Sequence, residues 1–256
     1  MRALPDHVHD QVALLTDALR AILGDAIVVL IHGSVALGDY HPGRSDLDVL
    51  VFCDGAPTTA QYHQLAMALL RISAAPAPIE ISVLDATLLT HWVHPAPFFF
   101  HYSEAWRDAT HAAVINPAHR WDVIRTDPDV SAHMVIAHHH GIMVHGDARV
   151  PLPLPHHALA AVWYDIAEAE TQVHETPDYV ILNLCRTIRW LAHGEVHSKS
   201  TGGITMLPEL NEPAATVVTQ MLAMRRGVPI ELPDAQTLQL VVRQLLARIQ
   251  GFMQVE

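Results

Sequence analysis

The chain has 256 residues, of which 50% are hydrophobic, and its 27 acidic and 15 basic residues give a formal net charge of -12. This length can hold two domains of ordinary size, and the hydrophobic content excludes a disordered chain. The acidic balance argues against a nucleic-acid backbone as the main partner, because that role needs a basic surface, and it favours a cationic ligand.

The first residues and the cysteine content both indicate an intracellular environment. Residues 1–6 lack the apolar core of a signal peptide, and no apolar run reaches the roughly eighteen residues that span a bilayer. The only cysteines are Cys53, in a strand pattern, and Cys185, in a helix pattern, which argues against a disulfide framework. We therefore expect a cytoplasmic protein with no membrane partner.

Hydrophobic spacing predicts alternating helices and strands in the first part of the chain. Apolar residues recur at helical intervals over 10–23 and 60–73, and the Asp127-Pro128-Asp129 segment caps a further helix that ends near Gly141. Apolar or alternating runs predict strands at 26–31, 46–52, 79–84 and 142–144. The run His138-His139-His140 is most simply a polar surface segment, because successive helical residues cannot all face one metal ion.

A glycine-serine turn and two aspartates mark a candidate site. Gly33 and Ser34 follow a strand and lead into a helix, so backbone N–H groups and a hydroxyl can meet a phosphate there. Asp46 and Asp48 open the next strand and, being two residues apart, present both carboxylates on one face. Unpaired carboxylates so placed repel each other and resist burial. A divalent cation removes that cost, and Mg²⁺ is the usual one beside phosphates, so this stretch predicts a metal-triphosphate site.

Glu80 is a third acidic residue in a strand pattern. The strand 79–84 alternates, with isoleucine and valine on one face and Glu80 and Ser82 on the other. A glutamate inside an otherwise apolar strand is costly unless something satisfies it. Glu80 is therefore a candidate functional residue.

After the stiff linker Pro151–Pro155, every predicted element is a helix. Helical spacing covers 157–173, 179–193, 208–226 and 234–250. We therefore predict an α+β protein, with a mixed sheet and flanking helices in residues 1–150 and a helical bundle in residues 156–256.

The Gly33-Ser34 pair, separated by eleven residues from Asp46-Leu47-Asp48, resembles the pattern of the nucleotidyltransferase superfamily. Three further stretches are similar to the aminoglycoside adenylyltransferases that modify streptomycin and spectinomycin: 78–83, 127–146 and 182–199. The last stretch contains Leu182-Asn183-Leu184-Cys185-Arg186 and ends at Lys199. The resemblance identifies residues 1–150 as a nucleotidyltransferase domain and the helical part as a domain that binds substrate and nucleotide.

The resemblance also implies roles for individual residues. Asp46, Asp48 and Glu80 would bind two Mg²⁺ ions and carry catalysis, with Glu80 accepting the proton of the substrate hydroxyl. Nucleotide binding would fall to five residues: Gly33, Ser34, Ser45, Arg186 and Lys199. Arg186 and Lys199 would hold the ATP phosphates. The implied partners are ATP as co-substrate and a cationic antibiotic, with no nucleic acid, bound by a monomer.

Glu80, Trp106 and Asp178 are the candidate substrate contacts. Trp106 lies in a stretch similar to one that places a tryptophan at the drug pocket of these enzymes, and a flat ring can stack on a sugar or attract an ammonium group. Two interpretations stay open for Asp178, which precedes a predicted helix: it is the helix cap, or it contacts the drug. Counted from Arg186, the acidic drug contact of the resembled enzymes corresponds to Thr176.

Three functional hypotheses stay open. The first is transfer of a nucleoside monophosphate, AMP from ATP, to a hydroxyl of spectinomycin or streptomycin. The second is a nucleotidyltransferase of toxin-antitoxin or regulatory type that acts on a protein or RNA, and the acidic charge weighs against RNA. The third is a nucleotide-binding protein without catalysis, and the presence of Asp46, Asp48 and Glu80 argues against it.

Overall fold

The computed structural model describes residues 4–253. It divides into two compact units, one with the residues up to Ala161 and the other with those from Val162 onward. The division falls inside the helix Pro155–Ile166. The domains expected from the sequence, 1–150 and 156–256, place their boundary in the proline-rich segment that precedes most of this helix.

The first unit is built on a five-stranded mixed sheet. From residue 4 onward, this unit contains seven strands: β1 (Ile27–Ile31), β2 (Leu47–Cys53), β3 (Ile79–Asp85), β4 (Ala96–Phe98), β5 (Phe100–Tyr102), β6 (Arg125–Asp127) and β7 (Ile142–His145). The main sheet has the order β5-β3-β2-β1-β7, while β4 and β6 form a separate antiparallel pair. Strands β2 and β3 are parallel, and the other neighbours in the main sheet are antiparallel. The four predicted strands correspond to β1, β2, β3 and β7, which confirms the mixed sheet.

The described residues of this unit form five helices and the first part of a sixth: α1 (Asp6–Leu23), α2 (Gly33–Leu37), α3 (Thr59–Ile72), α4 (Arg107–Ile115), α5 (Val130–His140) and α6 (Pro155–Ile166). Helix α3 begins with a capping box, in which the Thr58 hydroxyl accepts from the backbone N–H of Gln61 and the Gln61 side chain accepts from the backbone N–H of Thr58. Helix α4 was not predicted, because only Thr110 and Ala113 on it are buried and its hydrophobic pattern is weak.

Helices cover both faces of the main sheet. Val49 and Ile81 belong to the core that contains α1 and α3, whereas Leu50 packs in a second core together with α5. Successive strand residues point to opposite faces. Asp48 and Glu80 therefore lie on the face that α5 covers.

The second unit is helical. Beyond the end of α6 it contains α7 (Ala169–Gln172), α8 (Pro177–His193), α9 (Lys199–Met206), α10 (Ala214–Arg225) and α11 (Ala235–Met253). Helix α8 packs against α9, α10 and α11 around one shared hydrophobic core. This arrangement confirms the predicted helical C-terminal region and the α+β class.

Two predicted helices differ in the structure. The helix expected over 157–173 is interrupted between Ile166 and Ala169, and the helix expected over 208–226 begins at Ala214, after a 3₁₀ turn and Pro213. Proline lacks a backbone N–H and tends to start a helix rather than lie inside it. No helix in residues 4–253 combines the length and the apolar content needed to cross a membrane.

Helix α9 was not predicted because it contains Gly202 and Gly203, residues of low helix propensity. A Cβ atom on Gly202 would lie 2.6 Å from the Cβ atom of Arg186, and one on Gly203 would lie 2.6 Å from a methyl group of Leu182. The glycines allow α9 to approach α8 closely. Tertiary packing thus overrides the local preference.

Candidate active site

The turn between β1 and α2 is tied to the start of β2. The backbone N–H of His32 donates to the carbonyl of Asp48 at 3.0 Å, and the N–H of Ser34 lies 3.4 Å from the Asp48 carboxylate oxygen Oδ2. Gly33, between them, has a φ of +58°, a conformation that favours glycine. The Ser34 hydroxyl oxygen is buried and has no hydrogen-bond partner among the described residues. The turn therefore offers a hydroxyl that a ligand can satisfy.

Asp48 and Glu80 are directly opposite each other on the parallel strands β2 and β3. Adjacent strands lie about 4.8 Å apart and opposite residues point the same way, so the two carboxylates share one face of the sheet. Both side chains are partly buried. The expected pair was Asp46 with Asp48, with Glu80 as a third carboxylate beside them, and the pairing register places Glu80 directly opposite Asp48.

Asp46 and Ser45 precede β2, which begins at Leu47. Asp46 is exposed, whereas Ser45 is buried. The Ser45 hydroxyl accepts from the backbone N–H of His41 at 3.0 Å, and its own N–H donates to the His41 carbonyl at 2.9 Å. Ser45 thus closes the loop that leads from α2 into the acidic strand.

This arrangement fits a phosphate with its cation. The carboxylates of Asp48 and Glu80 would repel each other without nearby positive charge. The turn beside them carries the buried Ser34 hydroxyl, which has no hydrogen-bond partner among the described residues. Within residues 4–253, no set of three or more His, Cys, Asp or Glu side chains is close enough to hold a metal ion. The assignment of Asp46, Asp48 and Glu80 as metal ligands stays a prediction.

Histidines that the sequence did not single out lie near this face. His101 pairs in register with Ser82, and its Nδ1 is 3.1 Å from the Ser82 hydroxyl. Burial lowers the pKa of His101, while the charges of Glu80 and Asp127 act in the opposite direction. No spacing along the chain reveals this residue, because β3–β5 pairing alone brings it near Glu80.

A second histidine contact joins the turn to α5. The rings of His32 and His133 have centroids 4.8 Å apart. Burial, followed by the charge of His133, lowers the pKa of His32 well below its ordinary value. His32 is therefore neutral at pH 7.

Trp106, a predicted substrate contact, ends a 3₁₀ turn and is 42% exposed. The Arg125 guanidinium lies 5.5 Å from the centroid of the Trp106 ring, in a cation–π contact. The His101 ring meets Trp106 edge-on at 5.9 Å. Trp106 also lines a cavity of about 160 Å³ whose walls include Phe98, Trp121 and Arg125. The Arg125 guanidinium thus already lies where a cationic ligand would bind on the Trp106 ring.

In the second unit, Arg186 and Lys199 lie on helices that touch. The Arg186 Nε donates to the Asn183 side-chain oxygen at 2.6 Å. Lys199 is the first residue of α9 rather than part of a loop, and its Nζ lies 4.1 Å from the centroid of the Tyr179 ring. Close α8–α9 packing at Gly202 brings the two cationic residues to neighbouring helices.

The helix-cap interpretation of Asp178 is wrong. Helix α8 begins at Pro177, its N-cap is Thr176, and no side chain caps it. Proline is well suited to the first helical position, which moves the helix start one residue ahead of Asp178. Asp178 lies in the first turn, where its negative charge interacts favourably with the positive end of the helix dipole.

Comparison with known proteins gave matches in both parts of the chain. Residues 14–79 match the nucleotidyltransferase domain, and residues 151–248 match the aminoglycoside adenylyltransferase C-terminal domain. No curated protein sequence matches the chain significantly. A similar solved structure is the spectinomycin adenyltransferase AAD(9) from Enterococcus faecialis with ATP and spectinomycin, with a TM-score of 0.79 and 18% identity, covering 94% of this chain and 99% of that one. That likeness establishes the fold.

The matched segments contain most of the candidate site. The first holds the Gly33-Ser34 turn and Asp48, and it ends one residue before Glu80. The second holds Arg186 and Lys199. Because a nucleotidyltransferase domain is followed by this particular C-terminal domain, the chain belongs to the aminoglycoside adenylyltransferase family of the nucleotidyltransferase superfamily.

Proposed function

We propose that the chain transfers AMP from ATP to a hydroxyl group of an aminocyclitol or aminoglycoside antibiotic, spectinomycin or streptomycin, and thereby gives resistance. The observation that carries the proposal is the register of Asp48 with Glu80 beside the Gly33-Ser34 turn. Family membership supports nucleotidyl transfer. The ATP and spectinomycin bound by the similar solved enzyme support the choice of substrates.

In the proposed reaction, a hydroxyl oxygen of the antibiotic forms a bond to the α-phosphorus of ATP. The bond from that phosphorus to the oxygen bridging to the β-phosphate breaks, and pyrophosphate leaves. Glu80 accepts the proton of the hydroxyl as general base. Mg²⁺, held by Asp46, Asp48 and Glu80, would supply positive charge to the phosphate oxygens.

Other residues bind and orient the nucleotide. The Gly33-Ser34 turn, with Ser45 closing the loop behind it, contacts the phosphates through N–H groups and the Ser34 hydroxyl. Arg186 supplies a planar fork of donors and Lys199 a compact positive charge, which suits a triphosphate. These groups stabilise charge that develops on the leaving oxygens.

We propose spectinomycin as the better substrate of the two drugs. Thr176 stands where the resembled enzymes carry an acidic drug contact, and streptomycin, with its larger sugar extension, needs more contacts from the helical domain. Arg125 lies on the face of Trp106, where it competes with a cationic group of the drug. Binding of either drug should weaken with salt, because partly exposed charge pairs are screened over about 8 to 10 Å at ordinary ionic strength.

The test is a panel of aminoglycosides and aminocyclitols with ATP, GTP and CTP, scored by pyrophosphate release. Release that needs both ATP and an antibiotic supports the proposal, and side-by-side kinetics on spectinomycin and streptomycin test the preference. Release with a protein or RNA acceptor, and none with any antibiotic, would contradict it. Efficient streptomycin modification that is lost in Asp178→Ala would show that Asp178 is the family's drug contact after all.

A further inference from the structure

A chain of side-chain contacts in the second unit leads from one carboxylate to both nucleotide-binding cations. Asp165, on the last turn of α6, accepts two hydrogen bonds from α8. Its Oδ2 accepts from the Asn183 amide nitrogen at 2.6 Å, and its Oδ1 accepts from the Tyr179 hydroxyl at 3.3 Å. Each carboxylate oxygen thus begins a separate series of contacts, called a branch below.

The first branch runs through Asn183 to Arg186. Asn183 is 3% exposed, and its side-chain oxygen accepts from Arg186 Nε at 2.6 Å. An ionised carboxylate only accepts hydrogen bonds and a guanidinium only donates them, so an amide can bridge the two in one orientation alone. Asp165 therefore sets the orientation of Asn183, and Asn183 holds Arg186 through Nε. This bond uses Nε, which leaves the terminal nitrogens of the guanidinium as the phosphate-binding fork.

The second branch runs through Tyr179 to Lys199. The Tyr179 ring, whose hydroxyl donates to Asp165, lies 4.1 Å from Lys199 Nζ. A cation on an aromatic face gains electrostatic attraction from the ring. Fixing the ring therefore fixes a resting place for the ammonium group of Lys199.

The backbone keeps the two branches together. Gly202 lies against Arg186 so closely that a Cβ atom there would be 2.7 Å from the Arg186 Cα. Lys199 begins the same helix, three residues earlier. The relative position of the two cations is thus set by helix packing, and the direction of each side chain by a contact that leads to Asp165.

We propose that Asp165 is a positioning residue that orders Arg186 and Lys199, through Asn183 and Tyr179, for the phosphates of a nucleoside triphosphate. The inference rests on the proposed function, in which these two cations bind ATP. Asp165 itself touches neither the nucleotide nor the reacting atoms. Without this carboxylate, both cations are still present but are no longer held in one orientation. Nucleotide binding must then order them, and the lost side-chain entropy weakens binding.

The experiment compares Asp165→Ala with the unaltered chain. Titration with Mg-ATP measures the Kd, and steady-state kinetics measure the KM for ATP and for spectinomycin separately. We expect Kd and KM for ATP to rise roughly tenfold, the loss typical of an ordering contact to a charged group. The KM for spectinomycin should stay unchanged. A purely structural role for Asp165 would not produce this separation.

Glu170→Gln is the matched control. Glu170 is an exposed carboxylate on α7 of the same unit, paired with Arg243 at 2.8 Å. Its loss removes a surface ion pair and one negative charge but touches neither branch. We expect this variant to match the unaltered chain in both KM values, which separates the positioning effect from a general effect of charge.

Tyr179→Phe provides a second test that keeps the core intact, since Tyr179 is 38% exposed. It keeps the ring beneath Lys199 and removes the hydroxyl that donates to Asp165, so the KM for ATP should rise by a smaller factor, roughly twofold to threefold. If Asp165→Ala does not fold, the KM for ATP of Tyr179→Phe tests the positioning role in its place.

Three outcomes would overturn the proposal. One is an unchanged KM for ATP in folded Asp165→Ala or, should that variant not fold, in Tyr179→Phe. Another is an equal rise of both KM values together with a lowered melting temperature, which indicates a structural brace only. Failure of the unaltered chain to bind Mg-ATP would overturn both this inference and the proposed function, whereas the first two outcomes leave the proposed function standing.

Discussion

The carboxylate of Asp48 occupies the space in which any residue other than glycine at position 33 would place its Cβ atom. An ideal Cβ on Gly33 would lie 1.8 Å from Asp48 Oδ2, far inside van der Waals contact. The glycine of the turn and the first aspartate of β2 are thus sterically coupled. The position of Asp48 relative to Glu80 depends on a residue that carries no functional group.

Gly33→Ala should therefore remove activity by displacing Asp48. The variant also bears the strain of a side chain at a φ of +58°, which costs about 1 to 2 kcal/mol of stability. Gly43→Ala is the matched control, because Gly43 has a φ of +75° and nothing within 4 Å of its Cβ position. Urea unfolding should show the loss from backbone strain in both variants, whereas pyrophosphate release should be lost only in Gly33→Ala. Equal activity of the two variants would refute the coupling.

Asp48→Asn should abolish transfer without unfolding the chain, because the amide fills the same space but removes a negative charge from the acidic pair. We expect turnover to fall by roughly 10² to 10⁴-fold, as the loss of several kcal/mol of charge stabilisation implies. Asp46→Asn should act in the same direction. Asp54→Asn, an exposed aspartate just after the same strand, is the control and should stay active. Full activity of Asp48→Asn would exclude its metal role.

Glu80→Gln should slow the chemical step while nucleotide binding is kept. The glutamine keeps the size of the side chain but cannot accept the proton, so turnover should fall by roughly 10² to 10⁴-fold. Single-turnover rates and a separate Mg-ATP titration measure the two effects. Loss of Mg-ATP binding instead would show that Glu80 is chiefly a metal ligand and that another group is the base.

Arg125→Gln should improve the use of a cationic drug. The substitution removes the guanidinium from the face of Trp106 and frees that face for a cationic group of the substrate. We expect kcat/KM for streptomycin to rise by roughly twofold to fivefold, given that an exposed cation–π contact contributes about 0.5 to 1 kcal/mol. Arg120→Gln is the control, because Arg120 lines the same cavity but pairs with Asp122. A rise of the same size in both variants would point to a general charge effect.

Cys53 and Cys185 should resist alkylation in the folded protein. Burial raises the pKa of the Cys53 thiol from 9.0 to about 11 and that of Cys185 from 9.0 to about 12, so almost no thiolate forms at pH 8. Mass spectrometry after iodoacetamide treatment should show no label in the native chain and two labels in urea. Rapid native labelling of either residue would show that its thiol is exposed.

The same shifts predict how stability responds to alkaline pH. Because the folded pKa of each thiol lies above its ordinary value of 9.0, the folded state holds these protons more tightly than the unfolded state does. The contribution to stability is complete below about pH 9 and declines as pH rises toward 11 and 12. Urea midpoints measured between pH 8 and pH 11 test this direction.

The sequence by itself determined the strand-turn-strand element and the acidic residues that it carries. Gly33-Ser34 after an apolar run and Asp46-x-Asp48 before another are local patterns, because a turn needs glycine and a strand alternates its faces. The helical character of the second unit was equally local, since it follows from apolar residues at helical intervals. Glu80 also stood out locally, as a charge in an apolar strand.

Only the tertiary structure decided which of these residues meet. The register of β2 with β3 places Glu80 opposite Asp48, and no spacing along one strand contains that information. The contacts of Arg125 with Trp106 and of Asp165 with Asn183 likewise join residues far apart in the chain.

Helix α9 shows the same limit for secondary structure. Gly202 and Gly203 argue against a helix locally, but close packing of α9 on α8 requires residues without side chains at these two positions. The start of α8 at Pro177, rather than at Tyr179 after an Asp178 cap, is a smaller case. Local helix preferences amount to less than about 1 kcal/mol per residue for most side chains. Burial and packing contribute more, so tertiary contacts decide whether such a segment is helical.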